Sequence, residues 1–280
     1  MTARHVAFFG DTHCGSKYGL MPPKIIGEYS SIVTRSSLNK MWAMWEEYWL
    51  WVFEKTNGEP FIVVTMGDMV DGRHPTARNA ASLITADLSE QVDIAVACSQ
   101  TFLKKAAGVY CVMGTEAHVG QSGETESEYA SRIGSSPPRR GSPRLITNRL
   151  RLRLGKHLID CQHHIAPGGS TNPDAPLVRE YNMAVTVYGE HGHPLPSLIV
   201  RGHCHEAKKI ERWNENVYGE QVWAITTPCW QLPPPYVGKV ARARFQPPHF
   251  GGALASLKDD GTLKVRQRTW KMKPDAPVSI

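Results

Sequence analysis

Five short clusters in the chain hold residues able to bind a cation or move a proton. They are Asp11 and His13 in DTH, Asp68 and Asp71 in GDMVD, Glu116 and His118 in GTEAH, His163 and His164 in QHH, and His203 and His205 in GHCH. In an extended chain residues i and i+2 point to the same side, so His203 and His205 can aim both rings at one point. Any one cluster alone reads as a capping Asp or a surface His. Together they offer mixed oxygen and nitrogen donors without paired thiolates. That chemistry suits a divalent transition metal rather than a structural zinc site. Cys14 and Cys204 adjoin the clusters, and Cys204 alternates to the face opposite His203 and His205, so both read as packing residues.

The elements that must position these groups are short apolar runs directly ahead of them: HVAFFGDTH (5–13), FIVVTMGDMVD (61–71), VYCVMGTEAH (109–118), HLIDCQHH (157–164) and SLIVRGHCH (197–205). Near-continuous apolar strands of this kind are covered on both faces. Helix-compatible segments lie between them, at Ser37–Thr56 and Ala86–Ala107, and strand alternating with helix predicts an α/β architecture. In such a sheet functional groups collect outside the carboxyl ends of the strands. Five strand ends would then deliver their side chains to one place. Runs at 222–227, 253–257 and 263–270 read as added strands.

The 280 residues read as a single domain, 1–280, with a Trp-rich helical insertion at about 37–56 and a loop insertion at about 120–143. Trp42, Trp45 and Trp49 fall on one helical face, which predicts packing on the sheet. A dimer surface or a base-stacking platform is the alternative use of that face. The six cysteines are scattered without a CxxC pair. That excludes a zinc ribbon or disulfide framework and points to a reducing cytoplasm. Neither a signal-peptide pattern nor a membrane-spanning run is present. The net charge of +6 favours a polyanionic partner. The Gly-Gly of APGGS (166–170) makes only a weak phosphate cradle.

The ordered set DTH, GDMVD, GTEAH, HH and GHCH resembles the calcineurin-like metallophosphoesterases, whose pattern is D-x-H, G-D-x-x-D, G-N-H-D/E, H, G-H-x-H. The resemblance spans roughly residues 5 to 230. It implies a four-layer α/β/β/α sandwich of two mixed β-sheets with a two-metal site at the strand C-terminal ends. It also implies roles. Asp11, His13, Asp68 and His205 would hold one cation. Asp68 would bridge to a second, held also by His163 and His203, since one carboxylate can span cations about 3.5–4 Å apart. Asp71 would orient a ligand, His118 would protonate the leaving group, and His164 would face the substrate. The implied cofactors are two divalent ions, Mn²⁺ first, with Zn²⁺, iron, Ni²⁺ or Co²⁺ as alternatives.

One block departs from the pattern. If His118 is the family's catalytic histidine, Ala117 occupies the asparagine position and cannot bind a metal. Either Glu116 or Thr115 then supplies the oxygen, Glu116 being the nearest carboxylate, or the second site is weaker. A second departure concerns substrate. Protein-phosphatase members carry Arg directly after G-D-x-x-D, whereas here Gly72 follows and Arg73 is displaced by one. Arg73 is kept as a substrate-binding candidate. With the basic runs SSPPRRGSPR (135–144) and RLRLRLGK (149–156), this points to phosphodiester hydrolysis on a nucleic acid or nucleotide. The alternatives are a phosphomonoesterase, or a non-catalytic metal-binding interaction module. No membrane partner is expected, and an oligomer would form through the Trp-rich helix.

Overall fold

Each apolar run needs cover on two sides, and the chain supplies it by stacking two sheets and placing helices outside them. The computed structural model describes residues 3–73, 81–166, 172–214, 220–234 and 248–271. The first sheet runs β11 (Leu263–Lys271), β10 (His249–Leu257), β1 (His5–Phe9), β2 (Phe61–Thr65), β3 (Gly108–Val112), β4 (Ile146–Thr147). β1 to β4 are parallel, and β10 joins β1 antiparallel, with His5 opposite Ser256. The second sheet runs β5 (Arg149–Leu154), β6 (His157–Gln162), β7 (Leu198–Arg201), β9 (Glu220–Thr226), β8 (Lys208–Asn214). Its three central strands are parallel and both edges are antiparallel.

Alternation along β1 shows how the layers form. Val6 and Phe8 face the second sheet and pack with Val64, Met66, Leu150, Ile159, Cys161 and Val200. Ala7 and Phe9 face outward onto helices α2 (Arg35–Thr56), α3 (Leu88–Leu103) and α5 (Glu124–Arg132). On the far side, Leu177 of α6 (Ala175–Glu190) packs on Ile199 and Ala224 of the second sheet. The result is the expected α/β/β/α order. Two short helices, α1 (Pro23–Glu28) and α4 (Glu116–Val119), complete the set described here.

The Trp-rich segment is α2, and its aromatic face is spent inside the chain. Trp45 and Trp49 are buried, while Trp42 is partly buried at the edge of the same cluster. Trp49 stacks on Phe102 with ring centroids 4.5 Å apart, and Phe9 meets Trp45 edge-on at 5.1 Å. The Tyr48 hydroxyl lies 3.1 Å from both the Phe8 and Ala253 carbonyls, which ties the helix to β1 and β10.

The loop expected over 120–143 is in part a helix. Residues Glu124–Arg132 form α5, which buries Thr125, Glu126, Tyr129 and Ala130. Those positions share one helical face, but only Tyr129 and Ala130 among them are apolar, so the sequence pattern reads as polar. The Tyr129 hydroxyl is 2.8 Å from Ser99 Oγ on α3, which anchors the helix. All six cysteines are free and five are buried. No helix among the described residues is long and apolar enough to cross a membrane.

Candidate metal centre

The parallel strands β1, β2, β3, β6 and β7 end at one rim, and the loops there are stitched backbone to backbone. Asp11 N–H donates to Gly67 C=O at 2.8 Å, His13 N–H to Asp68 C=O at 3.1 Å, and Gly202 N–H to His163 C=O at 2.9 Å. The stitching holds five side-chain-bearing residues in the left-handed region: Asp11 (φ 52), His13 (φ 45), Asp68 (φ 54), His203 (φ 69) and His205 (φ 55). Asn57 is the one other such non-glycine among the described residues. That region costs a residue other than glycine roughly 1–2 kcal/mol, and strain of this kind concentrates at functional sites. Two glycines make the approach possible. A Cβ on Gly67 would meet Gly114 Cα at 2.6 Å, and one on Gly114 would meet Asp68 Oδ1 at 2.2 Å.

Asp11, His13 and His205 form one group whose donor atoms lie within 4.8 Å of one another. His13 Nε2 and His205 Nε2 face each other at 3.3 Å, and Asp11 Oδ1 lies 3.3 Å from His205 Nε2. That oxygen is buried and, apart from this contact with His205, has no hydrogen-bond partner among the described residues, an arrangement that costs free energy unless a cation or donor satisfies it. The Asp71 carboxylate lies 3.1 Å from His13 Nδ1 and sets the ring's orientation. Gln231 Nε2 donates to the same Asp71 oxygen at 3.4 Å. His118 packs edge-on to His13 with centroids 4.6 Å apart, and its Nδ1–H donates to the Asp71 carbonyl at 2.7 Å.

A second set is linked to the first through Asp11. Asp11, Asp68 and His163 form one group, and His163, His164 and His203 another. His163 Nδ1–H donates to the Met66 carbonyl at 2.6 Å, which turns Nε2 toward Asp68 Oδ2, 3.1 Å away. An imidazole whose outer nitrogen is held by a carbonyl has a fixed tautomer and orientation, the usual support for a metal-binding histidine. His163 is buried and His164 exposed, yet both rings stand about equally far from His203, at 5.2 and 5.3 Å.

The oxygen donor expected from Glu116 is not at the centre. Glu116 is exposed in the first turn of α4 and belongs to none of these groups. Thr115 is the N-cap of that turn, so the helix begins by rotating Glu116 outward. The Thr115 hydroxyl instead lies 3.0 Å from Asp68 Oδ2, 3.2 Å from His163 Nε2 and 3.4 Å from His203 Nδ1. Its backbone N–H donates to Asp68 Oδ1 at 2.7 Å. Arg73 is exposed. Residues 167–170 of the APGGS stretch lie outside the described residues.

Sequence reasoning missed Glu126. It is buried under both loops, where Oε2 accepts the Gly114 N–H at 2.7 Å and Oε1 the Met69 N–H at 3.3 Å. Burial, helped by the Asp68 charge, pushes its carboxyl up to about 8. Gln91 does similar work beside it, accepting the Gly72 N–H at 2.8 Å and donating to the Gly72 carbonyl at 3.1 Å. Neither residue sits in a motif.

The electrostatics of the centre call for positive charge. Burial works against ionisation of Asp68, but His163 overrides it and holds the carboxyl well below its ordinary range. Asp11 is likewise lowered against the cost of burial, by His163 and then His205. Burial disfavours charge on His163 too, yet Asp68 and Asp11 raise it to about 10. Two buried carboxylates thus stay ionised only by recruiting charge from an imidazole. The unsatisfied Asp11 Oδ1, the facing Nε2 atoms and this demand for charge all fit divalent cations.

No protein-family model matches the chain, and no curated protein sequence does. Among solved structures it is similar to Vps29 from Chaetomium thermophilum, at 10% identity and TM-score 0.37, covering 97% of this chain and 98% of that one. A metallophosphoesterase from Sphaerobacter thermophilus is similar at 13% identity and TM-score 0.35, covering 96% and 89%. A hypothetical protein from Thermus thermophilus is similar at 11% identity and TM-score 0.39, covering 96% and 100%. Likeness at this level speaks for neither an activity nor a partner.

Proposed function

We propose that the chain is a metal-dependent phosphoesterase acting on phosphodiesters. The observation that carries this reading is the convergence of Asp11, His13, Asp68, His163, His203 and His205 at one rim, in overlapping groups whose donor atoms lie within 4.8 Å of one another and which include a buried carboxylate oxygen. Asp11, His13 and His205 would hold one divalent cation. His163 and His203 would hold a second, with Asp68 shared and the Thr115 hydroxyl beside it. When bound, such ions supply charge for a phosphoryl oxygen and acidify a water.

The remaining steps belong to the chain's own groups. Asp71 and the Met66 carbonyl fix the rings of His13 and His163, so each presents Nε2. Thr115 holds both oxygens of Asp68. His118, with Nδ1–H on the Asp71 carbonyl, acts as proton donor to the leaving oxygen. Burial and then His13 lower its pKa, so at a given pH less of it is protonated than of a free imidazole, and the donor role would be filled best on the acid side. His164 is exposed at the rim, where it would face arriving substrate. Gly72 follows the GDMVD loop, where a monoester-gripping arginine would stand, and this favours a diester.

The test is a hydrolysis panel with Mn²⁺ on bis-p-nitrophenyl phosphate, p-nitrophenyl phosphate, cyclic nucleotides, DNA and RNA. Faster turnover of the bis-ester than of the monoester is expected. A faster monoester would assign a phosphomonoesterase. Less than one equivalent of bound metal with no turnover at all would assign a non-catalytic interaction module.

A further inference from the structure

Residues 133–156 carry seven of the chain's 32 Lys and Arg and none of its 26 Asp and Glu, a local excess larger than the net charge of +6. The rest of the chain is therefore close to neutral. All seven basic residues are exposed. Arg139, Arg140 and Arg144 fall in the connection into β4, Arg149, Arg151 and Arg153 along β5, and Lys156 in the turn after it.

This segment walls one side of the sandwich. β4 is an edge of the first sheet and β5 an edge of the second, with a single residue, Asn148, between them. β5 is antiparallel to β6, with Arg149 opposite Gln162, Arg151 opposite Asp160 and Arg153 opposite Leu158. Gln162 directly precedes His163. Arg149 thus stands at the rim of the metal centre, and Arg151 and Arg153 lead away from it. Leu150 and Leu154 pack between the sheets, so the arginines share the outer face. Arg149 Nε donates to the buried Asp160 carboxylate at 2.6 Å, which fixes the first guanidinium in place.

Same-face residues along a strand are spaced about 7 Å, so the row offers positive charge at regular intervals to a polyanion that carries one negative charge per nucleotide. Charged residues also protect exposed sheet edges from pairing, but mixed signs suffice for that. Arg149 is paired with Asp160, but the segment's own charges are of one sign, and that sign complements a polyanion. We propose that this side wall guides a nucleic-acid strand, through its phosphates, to the metal centre. The endpoint of that path rests on the phosphodiesterase reading above. Contacts of this kind position a strand without reading its sequence.

The test is fluorescence anisotropy with labelled oligo-dT and oligo-U of about 20 nucleotides, in EDTA, between about 50 and 200 mM salt. The pair R151E/R153E is expected to weaken binding at least about tenfold and to flatten the salt slope by about 0.7 per lost phosphate contact. The charge-matched pair K24E/K40E, on exposed positions of α1 and α2, should leave affinity and slope unchanged. R139E/R140E repeats the measurement should R151E/R153E fail to fold, as judged by tryptophan fluorescence and Tm. Equal losses in the wall and control pairs, or an unchanged slope, overturn the proposal. Wild-type turnover of bis-p-nitrophenyl phosphate separates the two readings. Turnover without arginine-dependent strand binding removes the wall and spares the phosphodiesterase. Strand binding that depends on the wall, without turnover, keeps the wall as a nucleic-acid contact and removes the catalytic role.

Discussion

Thr115 and Glu116 are neighbours that offer oxygen to the same centre, and the structure separates them. The Thr115 hydroxyl touches Asp68, His163 and His203, whereas Glu116 faces solvent. Thr115→Ala is expected to weaken the second cation about 10–100-fold, the usual loss when a partner of metal ligands is removed. Glu116→Ala should be nearly silent. Calorimetric Mn²⁺ titration of both variants checks this, and a silent Thr115→Ala would take Thr115 out of the centre. The duty proposed for His118 is different. His118→Ala should leave cation stoichiometry intact and lower turnover by roughly 10²–10⁴-fold, the range for a lost general acid. The loss should shrink with p-nitrophenolate as leaving group, which scarcely needs a proton. An equal loss on poor and good leaving groups would move the acid role elsewhere, with His164 next in line.

At the scale of elements, α5 acts as a clip. Its buried Glu126 holds the GDMVD loop through Met69 and the GTEAH loop through Gly114. The carboxyl's pKa rises from 4.5 to about 8. An acid whose folded pKa lies above its unfolded value binds its proton more tightly when folded. Its stabilising contribution is complete below the unfolded value and is lost as the pH rises through the folded one. In metal-stripped protein, Tm should therefore fall between about pH 4.5 and 8 by a component that Glu126→Gln removes. The glutamine keeps one N–H acceptor but turns an amide NH₂ toward the other loop, so the variant should start less stable and show a flatter pH profile. Thermal unfolding of both proteins in EDTA across that range is the check. Parallel profiles would mean that Glu126 does not titrate with stability.

For the whole molecule, five strands from two sheets meet at the centre, so cations there should brace the sandwich as a unit. A ligand that binds only the folded state at about 100 times its Kd adds about 2.7 kcal/mol. For domains of about 150–250 residues each kcal/mol moves Tm by about 2–4 °C, so saturating Mn²⁺ should raise Tm by about 5–10 °C over the EDTA form. The rise should vanish in Asp68→Asn, which removes the carboxylate proposed to serve both cations. An undiminished rise in that variant would locate the stabilising cation away from Asp68.

The amino-acid sequence by itself determined the elements and the chemistry they carry. Period-two alternation and short apolar runs are local properties, so β1, β2, β3, β6 and β7 were legible, and with the helices between them the α/β class; the four-layer order was implied only by the resemblance to a family. The donor types after each strand were legible for the same reason. Three choices belonged to the tertiary structure. A turn of helix beginning at Glu116 decided which oxygen meets Asp68, and two adjacent residues are alike in spacing until that turn is built. The depth of Glu126 depends on α5 docking against α3 and β3, and its polar sequence carries no apolar stripe to announce that contact. The arginines of β5 could be seen to share a face. That their row begins at the rim of the centre follows only from the pairing of Arg149 with Gln162, which strand register sets across the sheet.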